Sequence, residues 1–108
     1  ARYRITQTRL LQNKLEAGVK QQELNTRIKV YASEVQNYST QIELAGKNIS
    51  NFRRLLQAEE ARFQNGESSL FLINTRENKL LEAEQKLLEL RLKFLVSYNQ
   101  LKWLNENF

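Results

Sequence analysis

Residues 63–70 read FQNGESSL, and this octapeptide decides the fold. On both sides lie long stretches with a helical apolar period, and the chain holds no proline. Gly66 supplies the left-handed conformation that closes a helix at low steric cost. Ser68 or Ser69 then caps a second helix by accepting a hydrogen bond from a free backbone N–H. Two helices joined by so short a connection run antiparallel. The expectation is an all-α chain, 1–108, forming a long antiparallel two-helix coiled-coil hairpin. Its tip lies at residues 64–69, with helix 1 over about 8–65 and helix 2 over about 69–105. More than about three-quarters of the chain should be helical.

Working outward, the apolar residues Leu24, Ile28, Tyr31, Val35, Tyr38, Ile42, Ala45, Ile49, Phe52 and Leu56 alternate steps of four and three. This is a coiled-coil seam. It breaks at Glu59 and resumes at Phe63. The second seam is Ile73, Leu80, Ala83, Leu87, Leu90, Phe94, Ser97, Leu101, Leu104 and Phe108, with Arg76 as its early polar member. Folding back about Gly66 and Glu67 sets Phe52 near Leu80 and Leu81, Tyr38 near Phe94 and Leu95, and Leu24 near Phe108. Forty paired residues make a hairpin roughly 60 Å long. Residues 1–23 are left without an intramolecular partner, and their apolar positions, Ile5, Leu10, Leu11, Leu15 and Val19, keep no heptad and are interrupted by Gly18. The first few residues should fray or be extended. A second apolar row, Leu81, Leu88, Leu92 and Leu95, lies beside this seam, so helix 2 is apolar over a wider arc than one partner can cover. It is a candidate oligomer contact.

Composition narrows the chemistry. The 108 residues contain no cysteine, histidine or aspartate, so disulfides, thiolate metal sites and Ser-His-Asp or Cys-His catalysis are absent. No catalytic, cofactor-binding or metal-ligating residue is proposed, and enzyme activity is not expected. No apolar run approaches the ~20 residues of a spanning helix. The net charge of +5 comes from residues 1–30, where seven Arg and Lys face only Glu16 and Glu23. Those charges spread around the helix without interleaved aromatics, so nucleic acid is not an expected partner. Arg53, Arg54 and Arg62 read as a solvated face. Tyr31, Tyr38, Tyr98 and Trp103 read as residues at the core edge. Gly66 has a plain reading as a helix end and a functional one as part of a docking tip.

Residues 58–102, AEEARFQNGESSLFLINTRENKLLEAEQKLLELRLKFLVSYNQLK, resemble the C-terminal repeat of TolC-like outer-membrane efflux and secretion channels. The points of likeness are Phe63 with Gly66 three residues on, then Ser69 and Leu70. A leucine-rich helix over 80–92 and an aromatic at Phe94 or Tyr98 follow. The resemblance implies a homotrimer whose β-barrel lies in the cell outer membrane and whose helices cross the periplasm. This chain would be a periplasmic fragment lacking the barrel. Asn65, Gly66, Glu67, Ser68 and Ser69 would dock to a periplasmic adaptor protein working with an inner-membrane transporter. The chain departs from the family where many members carry acidic residues after the tip, since Leu72 and Thr75 stand there. The rival reading is a stand-alone coiled-coil spacer or oligomerisation module, which explains the seams but not the aromatic-x-x-Gly tip.

Overall fold

The computed structural model describes residues 2–107, in which two helices, α1 (Arg2–Gln64) and α2 (Leu70–Asn107), pack antiparallel as a hairpin. The described residues contain no strand, and 95% of them are helical. The molecule is a rod of 96 × 19 × 14 Å. Its radius of gyration, 26.2 Å, is twice the ~13 Å of a globular chain this long. Its accessible surface, 8897 Å², exceeds the ~6300 Å² of a compact monomer of this mass. None of the described side chains is fully buried. The core is therefore a ribbon one side chain deep, running between the helices.

Both seams lie where the period puts them. Every α1 position from Leu24 to Leu56 in the alternating series is half-buried or buried, with Ala45 and Ile49 deepest. On α2 the same holds for the described seam members from Ile73 to Leu104, while Phe108 lies outside the described residues. Glu34 with Ser97, Arg53 with Glu84 and Glu59 with Arg76 form polar pairs across the two helices. All three are centred within residues 65–69, the same turn about which the seams fold.

Two expectations are corrected. Helix 1 begins at Arg2, not near residue 8, and continues through the unpartnered arm without a break. Residues 2–23 are rich in Leu, Arg, Lys, Gln and Glu, all good helix formers. Extending a helix already nucleated in the paired region fixes one residue per hydrogen bond gained, which good formers tolerate without tertiary support. The seam also does not break at Glu59. Counting on by three from Leu56 places Glu59 inside it, and the residue is 3% exposed. Its partner is Arg76, the polar member of the opposite seam, at 3.7 Å. The two irregularities of the pattern therefore form one charged layer.

Candidate functional site

The tip is built from two capping motifs. Gly66 has φ of 76°, the left-handed value that its lack of a Cβ makes cheap. Its N–H donates to the carbonyl of Phe63 at 3.0 Å, and the Glu67 N–H reaches back to the Arg62 carbonyl at 2.8 Å. These are the two bonds of a Schellman motif, with Gly66 at C′ and Glu67 at C″. The usual apolar contact between C″ and C3 is replaced by a polar one: Arg62 Nη2 donates to the Glu67 carbonyl at 3.4 Å.

The start of α2 resolves the choice between the serines. Ser69 is the N-cap: its Oγ accepts from the Leu72 N–H at 3.3 Å, and its carbonyl accepts from Ile73 at 3.1 Å. Ser68 is half-buried, and its hydroxyl has no hydrogen-bond partner. Asn65, Gly66, Glu67 and Ser69 are exposed. A Cβ built on Gly66 meets nothing within 4 Å, so the turn is open on that side.

Sequence reasoning missed two features of this end. Leu70 and Phe71 follow the cap with 64% and 76% of their surface exposed, which widens the accessible tip beyond residue 69. Their place in the first turn of α2, outside the series that starts at Ile73, was the available signal. Arg62 is not simply solvated, because it holds the Glu67 carbonyl and lies 3.7 Å from the Glu59 carboxylate. Arg53 likewise pairs with Glu84 across the helices at 3.5 Å, on the exposed edge.

Along the flank, Leu81, Leu88, Leu92 and Leu95 are all more than half exposed. At ~100° per residue this row is centred roughly 140° around α2 from the seam. Glu84 and Arg91 lie between the two. The apolar surface of α2 is thus two separate faces, not one broad arc as the sequence suggested. On the arm, Leu10, Leu11, Leu15 and Val19 are similarly exposed. Tyr31 and Tyr38 are half-buried at the core edge, while Tyr98 stacks on Phe94 with ring centroids 6.1 Å apart.

Among the described residues no helix is long and apolar enough to cross a membrane. Comparison with family models, with curated proteins and with solved structures gave no match.

Proposed function

We propose that this chain is a periplasmic coiled-coil part of a trimeric TolC-like outer-membrane channel for efflux or secretion, whose tip docks to a periplasmic adaptor. One observation carries this reading: the aromatic-x-x-Gly element of the family ends a rod 96 Å long as a tight, open turn. Asn65, Gly66 and Glu67 are exposed there, with no Cβ at position 66 to keep a partner's backbone away. The two apolar faces of α2 support the same reading, because a helix in a tubular wall has a neighbour on each side. In this reading the row Leu81, Leu88, Leu92 and Leu95 meets the adjoining helices of the trimer.

The test separates folding from docking. Gly66→Asn keeps left-handed tolerance and should cost the hairpin under about 1 kcal/mol, while adding a side chain at the contact. Glu67→Arg reverses a charge in the exposed turn. Placed in the full-length channel, each variant is expected to assemble as a trimer and insert in the outer membrane, yet to export poorly in cells. Normal export by both would reduce the tip to a loop and remove the docking role of residues 65–69.

A further inference from the structure

We propose that two polar layers, Glu59 with Arg76 and Glu34 with Ser97, set the register in which α1 and α2 pair along the length that the local turn signals at Gly66 and Ser69 do not reach. The inference is independent of the channel reading. An apolar seam alone is close to degenerate. Its members recur every heptad on both helices, so sliding α2 by one heptad still lays apolar rows against each other. Because both arms share the shift, such a slide moves the turn by only about half a heptad. A displacement that small could be absorbed by fraying one helix end and extending the other.

The polar layers remove this freedom. Glu59 is buried at 3% exposure, with Oε1 3.7 Å from Arg76 Nε and Oε2 3.7 Å from Arg62 Nη1. No hydrogen bond reaches Oε2. A buried carboxylate held by charges at that distance, without the hydrogen bonds that would offset its desolvation, is a weak stabiliser. It remains a discriminator, because any other register takes Arg76 away and leaves it only Arg62 of its own helix. After a slide of one heptad Glu59 would face Ala83 or Ser69, and Arg76 would face Phe52 or Gly66.

The second layer repeats the logic far from the tip. Ser97, 4% exposed, donates from Oγ to Glu34 Oε2 at 3.0 Å. A slide would set Glu34 against Leu90 or Leu104. Glu34 and Glu59 stand about 37 Å apart along α1 at ~1.5 Å per residue, so the register is marked near both ends of the paired region. Both layers agree on the one alignment that leaves Gly66 at the left-handed position of the turn.

The chain has no cysteine, so introduced pairs report register without background. Arg53→Cys with Glu84→Cys marks the observed pairing, since the ends of those two long side chains meet at 3.5 Å across an exposed edge and a short bismaleimide replaces their combined reach. Arg53→Cys with Glu77→Cys, or with Arg91→Cys, marks a slide of one heptad in either direction. Each pair is placed in the otherwise unchanged chain and in a background carrying Glu59→Leu, Arg76→Leu and Ser97→Ala. Intrachain crosslinks formed by a short bismaleimide are then quantified by mass spectrometry, with helicity followed by circular dichroism. The unchanged chain is expected to give the 53–84 product nearly alone. In the apolar background helicity should be retained and the slid products should rise at least about fivefold. Unchanged product ratios in that background would overturn the proposal. Loss of helicity there would overturn it as well, since the layers would then be supports of the fold and not markers of register.

Discussion

Ser68 and Ser69 are adjacent and chemically identical, yet the turn gives them opposite energetic roles. The Ser69 hydroxyl satisfies the Leu72 N–H, one of the orphan donors at the start of α2. Ser69→Ala is therefore expected to cost about 1 kcal/mol. The Ser68 hydroxyl is shielded from water and bonded to nothing. Ser68→Ala removes a desolvated polar group and should leave stability within about 0.5 kcal/mol of the parent, or raise it slightly. Urea titrations of the two variants, followed by circular dichroism, check this directly. A larger loss for Ser68→Ala than for Ser69→Ala would mean that the cap has been assigned to the wrong serine. Gly66 gives a second comparison at the same scale. Alanine at a φ of 76° should cost about 1–2 kcal/mol even though its Cβ meets no atom, because the strain is in the backbone itself.

At the scale of the helix, α1 behaves as two segments joined without a break. From Leu24 onward it is supported by α2, whereas residues 2–23 are exposed throughout and lie outside the seam. The first turn carries no acidic residue to complement the helix dipole and has Arg2 and Arg4 in its place. Amide hydrogen exchange should therefore be fast over 2–23 and slowest around the buried positions Ala45, Ile49, Leu90 and Ser97. Uniform protection along α1 would show that the arm has acquired a partner in solution. Gly46 offers a stabilising change within the supported segment. It lies in the helix interior, exposed, with open space where a Cβ would stand. Gly46→Ala should raise unfolding free energy by up to about 1 kcal/mol, read from the same denaturant titration.

For the whole molecule, the quantity that matters is the apolar surface a two-helix ribbon cannot cover. Leu81, Leu88, Leu92 and Leu95 remain more than half exposed on a face of α2 turned away from α1, and the arm exposes Leu10, Leu11, Leu15 and Val19. Faces of that length favour association. Sedimentation at tens of micromolar is expected to show the isolated chain self-associating, and a clean monomer would count against this. Leu88→Lys with Leu95→Lys should shift the chain toward monomer. Circular dichroism and the thermal midpoint of the hairpin should change little, because neither residue belongs to the seam.

The local signals sufficed wherever the controlling interactions are local. Helix period, the glycine of the turn and the serine cap act over three or four residues, so the two helices, their antiparallel pairing and the turn at Gly66 were legible in the sequence. The seams were legible because a heptad is itself a statement about which face is covered. What needed the tertiary structure was every property set by the opposite helix. Glu59 reads as an interruption along α1, and only the presence of Arg76 across the seam makes it a buried member of a charged layer. Arg62 reads as a solvated cation until the turn brings the Glu67 carbonyl to it. The choice of Ser69 over Ser68 depended on where the first helical N–H of α2 points, which the identical residue types could not distinguish. The start of α1 at Arg2 was obscured for the converse reason. That arm is exposed throughout, and the continuity of a helix nucleated elsewhere carries it.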